Sequence, residues 1–289
     1  MKLCLTCKTG FSASQWSCPT CGWVPCHQDG FILFAPELAL ANSGMLPDAH
    51  DKLDAIQEDS FWFRARNRLI VDLVKRCFPH ARSLLEVGCG TGYVLRGLQQ
   101  ALPSLRLAGS EIYANGLSYA RRRLGPDVEL LQMDARIIPY VGEFDLICAF
   151  DVLEHIEEDE AVLGEMHRAL GPGGGVLLSV PQHPGLWSRT DDVACHKRRY
   201  RPEELSAKCR SAGFKVVTTT SFVFTLLPVM LAQRLSRGTQ PDYDPGEELA
   251  LPRGIDRSFE LLLECERRLI ALGVSFPAGG SRFVAAVKW

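Results

Sequence analysis

Residues 84–92 read Leu84-Leu85-Glu86-Val87-Gly88-Cys89-Gly90-Thr91-Gly92. A short apolar run opens into a turn with glycine at every second position. A helical pattern follows, marked by Val94, Leu95, Leu98 and Leu102 and ended by Pro103. Glycines permit positive φ and let a ligand approach the backbone. A dinucleotide fingerprint would place its third glycine at position 93, where Tyr93 stands, so the turn argues against NAD. Taken alone, the stretch also reads as a purely structural glycine turn.

Outward from this turn the chain alternates. Strands are expected at Ser83–Val87, Leu105–Ser110, Val128–Leu131, Phe144–Phe150, Val176–Val180, Phe214–Thr220 and Ser281–Lys288. Between them lie helical faces such as Leu117, Ala120, Leu124 and Val162, Met166, Ala169. This alternation implies an α/β fold, a mostly parallel sheet with helices on both faces. Ligands of such sheets bind at the carboxyl ends of the strands. Two acidic residues fall there. Glu111 can accept hydrogen bonds from ribose hydroxyls or be a solvated surface residue. Asp134 can accept from an adenine amino group, with Met133 or Ala135 on the ring, or serve as a turn cap.

The successive segments LLEVGCGTG, GSEI, QMDA, FDLICAFDVLEHI and LGPGGGVLLSVP resemble, in order, the motifs of class I S-adenosylmethionine-dependent methyltransferases. The resemblance covers residues 81–221 and the closing strand. It implies a Rossmann-like seven-stranded sheet with an antiparallel last strand. It implies that Glu86 and the backbone of Gly88, Cys89, Gly90, Thr91 and Gly92 hold the methionine end of the cofactor. Glu111 and Ile112 would take the ribose, Asp134 and Ala135 the adenine, and Phe150 and Asp151 would line the methyl-donor pocket. Glu111 departs from the commoner Asp but leaves the role intact.

A second module precedes this domain. Cys4-x2-Cys7 and Cys18-x2-Cys21 offer four thiolates on two tight turns, the donor set of a closed structural Zn²⁺ site. Residues 1–36 are therefore expected to be a zinc ribbon whose disruption leaves the main domain folded. Cys26 and His27 read as bystanders. Residues 37–80 read as a connector and helix, with Phe61-Trp62-Phe63 as a pocket lid or a packing anchor, and residues 81–289 as the methyltransferase domain. Some ribosomal-RNA methyltransferases also begin with a zinc module. The balance of 32 Lys+Arg against 34 Asp+Glu argues against a nucleic-acid partner. An apolar content of 46% excludes a mainly disordered chain. There is no run of 18 apolar residues and no signal-like N-terminus, so a cytoplasmic protein with reduced thiols and no transmembrane segment is expected.

The residues after the fourth strand, Phe150-Asp151-Val152-Leu153, lack the turn used for amino groups of bases. The expected acceptor is a small or lipid-linked molecule methylated at oxygen. The alternatives are an RNA methyltransferase and a cofactor-binding partner protein without turnover. A hydroxyl acceptor needs a base, and histidine has a suitable pKa. His183 and His196, on loops past the fifth strand, are the candidates for base or acceptor-binding group. His155 is expected to order a helix start. Lys197, Arg198 and Arg199 suit an anionic acceptor or a solvated loop. Residues 222–280 form an insertion before the last strand. Its apolar run from Phe222 to Leu231 suits a helical lid over an apolar acceptor, a homodimer interface or a peripheral membrane contact, and Pro241 to Pro252 reads as an acidic loop.

Overall fold

A computed structural model of the chain describes residues 1–39, 49–236 and 251–289. Most of the expected acidic loop lies outside the described residues. The N-terminal strands are β1 (Lys2–Leu3), β2 (Gly10–Phe11), β3 (Cys26–Gln28) and β4 (Phe31–Leu33). Helices α1 (Pro36–Ala39), α2 (Ala49–Ile56) and α3 (Phe61–Cys77) lead into the main sheet. That sheet is built by β5 (Ser83–Val87), β6 (Arg106–Glu111), β7 (Glu129–Gln132), β8 (Phe144–Phe150), β9 (Leu170–Pro181), β10 (Phe214–Phe222) and β11 (Ser281–Lys288). Interleaved are α4 (Tyr93–Ala101), α5 (Ala114–Leu124), α6 (Asp159–Ala169), α7 (Arg189–Val193), α8 (Glu204–Ser211), α9 (Leu227–Ser236) and α10 (Arg253–Ala271).

The strand order is β10-β11-β9-β8-β5-β6-β7-β4-β3. β5 pairs in parallel with both β6 and β8, so the order reverses there and opens a crevice at the strand ends. β11 is antiparallel to β9 and β10, as the resemblance implies. Side chains alternate between two cores. Leu84, Leu146, Cys148 and Leu177 face α3, α4 and α5, whereas Leu85, Val87, Ile147 and Val176 face α6 and α8. Burial on both faces is why these strands are apolar at nearly every position.

The sheet has nine strands, two more than expected, because β3 and β4 extend it beyond β7. β4 pairs in parallel with β7 through Ile32–Leu131 and Leu33–Gln132. The Gln132 side chain accepts from Ala35 N–H at 3.0 Å and donates to the carbonyls of Ala35 and Ile112 at 2.8 and 3.0 Å. Trp16 packs edge-on against Phe34 and Tyr140, with ring centroids at 4.6 and 5.3 Å. The N-terminal module is therefore continuous with the main core, against the expectation that it could loosen alone.

The insertion also departs from expectation. α10 lies along α3, with Leu263 and Ile270 buried in the same core as Phe61, Leu69 and Leu73. The start of α10 is pinned to the start of α3: Asp256 accepts from Phe61 N–H at 2.8 Å and from Arg64, and Glu260 pairs with Arg64 and Arg68. Phe222, Val223 and Leu226 join this core, so the described part of the insertion buttresses α3 rather than forming a separate lid. Val229 and Leu231 of α9 stay exposed. Pro228 occupies the first turn of α9, where a missing N–H costs nothing, and does not break the apolar run.

Candidate active site and metal centre

The glycine turn sits where β5 meets α4. Gly88 has φ +71°, and a Cβ there would lie 2.4 Å from Val152 Cγ2. Gly92 has φ +76°, and a Cβ would press on Ala120 of α5 at 3.1 Å. Both glycines are thus required by backbone angle and by space. Glu111, at the end of β6, accepts from the N–H groups of Gly90 (3.0 Å), Ile112 (2.8 Å) and Tyr113 (3.2 Å). Its carboxylate therefore braces the turn at the expected ribose position. Cys89 is buried behind Gly109. Thr91 is tied away from the crevice: its hydroxyl donates to Gln57 Oε1 at 2.6 Å and accepts from Arg123 at 2.6 Å. α2 is held down by this network, because Arg123 also pairs with Asp54.

Asp134 shows the turn-cap side of its two readings. It accepts from Arg136 N–H at 2.9 Å and forms a salt bridge to the same guanidinium at 2.8 Å. Ala135 is buried beside it.

Glu86 is buried, and its Oε2 has no hydrogen-bond partner. Burial pushes its carboxyl up to about 8; the Arg66 guanidinium opposes this and Glu111 adds to it. Arg66 was not anticipated. It lies on the buried face of α3, one turn before Leu69 and Ile70. Its Nη2 donates to Asp151 Oδ2 at 2.6 Å and to Ser179 Oγ at 3.0 Å, and its guanidinium lies over Trp62 and Phe150. The aromatic triplet thus serves as an anchor: Phe61 and Phe63 are buried and Trp62 covers Arg66. A cation on an otherwise apolar helical face was the signal in the sequence. Asp151 takes φ +57° at the end of β8 and also accepts from Ser179 Oγ at 3.0 Å.

The histidines gather on neighbouring loops. His183, just past β9, takes φ +64°, and its Nε2 is buried without a partner. Burial, then Arg199 and Arg282, lower its pKa below the usual histidine value. His196 Nδ1 lies 2.8 Å from Asp191 Oδ1, which also accepts from Arg199 Nε at 2.7 Å. Burial disfavours ionised Asp191, but the bonds from His196 and Arg199 hold its carboxyl at about 2. His155 does not order a helix start as expected. It ends a 3-10 turn (Leu153–His155), its Nδ1 has no partner, and its ring meets that of His196 edge-on at 4.8 Å. Of the basic run, Arg198 is taken by Asp159 and Glu157, and Arg199 by Asp191 and the Gln182 carbonyl. Lys197 alone is exposed. Sequence reasoning missed Asp191 as the group that orients His196, since nothing in their spacing marks the pair.

In the N-terminal module Cys4 Sγ and Cys21 Sγ are 3.6 Å apart, as are Cys7 Sγ and Cys18 Sγ, and all four sulfurs lie within 4.8 Å of one another. A disulfide needs about 2.05 Å. Four sulfurs about 2.3 Å from one ion at tetrahedral angles stand roughly 3.8 Å apart, so the donor set fits a metal. Exposed Cys26 and His27 belong to β3, outside this cluster.

Residues 62–219 match the family model described as a methyltransferase domain, more than half of the chain, and the chain belongs to that family. Together with the glycine turn and the strand-end acids, this defines an S-adenosylmethionine-dependent methyltransferase. The chain is 26% identical over 188 residues to a ubiquinone biosynthesis O-methyltransferase of Azoarcus sp., covering 58% of this chain and 78% of that protein. It is 31% identical over 122 residues to a demethylmenaquinone methyltransferase of Thermus thermophilus, covering 40% of this chain and 54% of that protein. Its fold is similar to that of Haemonchus contortus phosphoethanolamine N-methyltransferase 2, solved with S-adenosyl-L-methionine, with a TM-score of 0.53 at 20% identity, over 77% of this chain and 52% of that one. Among the described residues no helix is long and apolar enough to cross a membrane.

Proposed function

We propose that this methyltransferase transfers the methyl group to a hydroxyl oxygen of a small or lipid-linked acceptor. One observation carries the reading. Two imidazoles come from separate loops past β9: His183 directly after the strand, and His196 after α7, where its ring meets His155 of the turn that follows β8. One of them, His183, keeps a partnerless Nε2 and a lowered pKa. An imidazole neutral at pH 7 can receive the hydroxyl proton as the bond from oxygen to the methyl carbon forms and the bond from that carbon to the cofactor sulfur breaks. The products are the methyl ether and S-adenosylhomocysteine. His196, fixed by Asp191, is the acceptor-binding group. The name of the Azoarcus relative supports an oxygen acceptor, and the names of both the Azoarcus and Thermus relatives support a quinone-related class of acceptor.

The strand ends support the following placement of the cofactor. Glu86 and the Gly88–Gly92 backbone hold the methionine end, with Arg66 reaching the same place from α3. Glu111 with Ile112 takes the ribose, and Asp134 with Ala135 the adenine, which requires Asp134 to share its carboxylate with Arg136. Phe150 and Asp151 border the methyl group. Cys4, Cys7, Cys18 and Cys21 hold a structural Zn²⁺ that clamps the N-terminal module to the sheet edge.

The test uses methyl-labelled S-adenosylmethionine and a panel of prenylated phenols, with mass spectrometry locating the methyl group. His183→Ala should lower turnover about 10²–10⁴-fold with S-adenosylhomocysteine affinity kept. With the pKa of His183 below its usual 6.5, the wild type should keep its activity at pH 6.5 and lose it only at lower pH. A methyl group found on nitrogen or carbon, or unchanged turnover in His183→Ala, would overturn the reading.

A further inference from the structure

The sequence reading assigned no metal to the acceptor side, yet the fold assembles a second donor cluster there. Glu154, His155 and His196 each bring one ligand atom to within 4.8 Å of the others. They come from two segments: the 3-10 turn after β8, and the loop after α7. The Lys197 N–H donates to the Glu154 carbonyl at 2.7 Å and locks the two segments together.

Three features distinguish this cluster from a chance meeting of polar residues. Glu154 is fully buried, and neither carboxylate oxygen has a hydrogen-bond partner. Leaving a carboxylate dry and unpaired is among the most costly arrangements in a protein interior. His155 Nδ1 is also buried and unpartnered, and the His155 ring meets that of His196 edge-on at 4.8 Å. His196 is held through its Nδ1 by Asp191, itself buried and held by Arg199, which leaves Nε2 as the free donor. A ligating imidazole whose other nitrogen is bound by a carboxylate or a carbonyl is the usual outer-shell arrangement of metal sites.

We infer that Glu154, His155 and His196 form a binding site for a divalent first-row metal ion, distinct from the four-cysteine cluster. Two imidazoles and one carboxylate suit a harder ion than the thiolates do, and three protein ligands leave coordination positions open. An open position beside the methyl-donor pocket would take an acceptor oxygen and favour its deprotonated form. His196 then binds the acceptor through the ion, and His183 remains the base. This use of the ion rests on the proposed O-methylation; its binding does not, and the experiment below contains no acceptor.

The probe is Mn²⁺ alone, added to the full chain with its cysteine site intact. Binding is read as loss of the electron paramagnetic resonance signal of the free ion. One Mn²⁺ per chain is expected. Glu154→Gln and His196→Ala should weaken binding at least tenfold, and Asp191→Asn about 10–100-fold. Cys4→Ser should leave it unchanged. S-adenosylhomocysteine binding by each variant reports folding. In the wild type, bound Mn²⁺ should also broaden the ring-proton resonances of His155 and His196 while sparing His27, a readout that needs no variant. Absence of Mn²⁺ binding at millimolar concentration, unchanged affinity in folded Glu154→Gln and His196→Ala, or broadening confined to other histidines would each overturn the inference.

Discussion

Replacing Glu86 with glutamine should remove a pH dependence from the stability of the whole protein. Glu86 lies on β5 between Gly109 of β6 and Cys148 of β8, fully enclosed, with one carboxylate oxygen unpartnered. Its pKa is about 8 in the folded chain against 4.5 for the free group, because burial disfavours the charge more than Arg66 compensates it. The folded state therefore holds a proton that the unfolded chain has released at any pH between these two values. The stability associated with this carboxyl is fully present below pH 4.5 and is lost as pH rises to about 8. The separation is about 3.5 units, and at 1.36 kcal/mol per unit the loss is about 5 kcal/mol. For a chain of this size 1 kcal/mol moves Tm by roughly 2–4 °C, so the full effect amounts to about 10–20 °C. Thermal melts followed by circular dichroism at pH 5 and pH 8.5 compare wild type and Glu86→Gln. The variant should gain about 10 °C relative to wild type between the two pH values. Parallel pH profiles for the two proteins would refute the argument from burial. The same logic reaches the cofactor. Pairing Glu86 with a cationic amino group drives off its proton, so S-adenosylhomocysteine binding at pH 7 should release protons in wild type, seen as a buffer-dependent heat, and release fewer in Glu86→Gln.

Two further outcomes follow from the packing. Arg66→Met leaves Asp151 and Ser179 without their buried donor; with the Asp151 side chain 27% exposed to solvent, the cost should be about 2 kcal/mol, read as a Tm lower by roughly 4–8 °C, together with weaker S-adenosylhomocysteine binding by calorimetry. An unchanged melt would show that Arg66 is not the compensating charge. Cys4→Ser should release the Zn²⁺ found by elemental analysis of the wild type. It should also accelerate hydrogen exchange in β7 as well as in β4, because the two strands are paired; exchange confined to residues 1–36 would show that the module is independent after all.

The strands of the main domain were legible because a doubly covered parallel strand must be apolar at nearly every position. Phe144–Phe150 and Ser281–Lys288 were read with the bounds the structure has. The glycine turn was legible because its backbone angles and close contacts admit no side chain, and the two Cys-x2-Cys pairs because their spacing alone brings sulfurs together. Other features needed the tertiary structure, because their partners are far apart in sequence. Whether the N-terminal module stands apart or joins the sheet is decided by Gln132 gripping Ala35 across 97 positions. The role of the insertion is decided by Asp256 and Glu260 meeting α3, nearly 200 positions away. His196 and His155 were visible as residues, but no spacing encodes that Asp191 orients one of them and that both converge with Glu154. Local patterns report periodicity and backbone geometry; which buried charges meet is set only when the chain closes on itself.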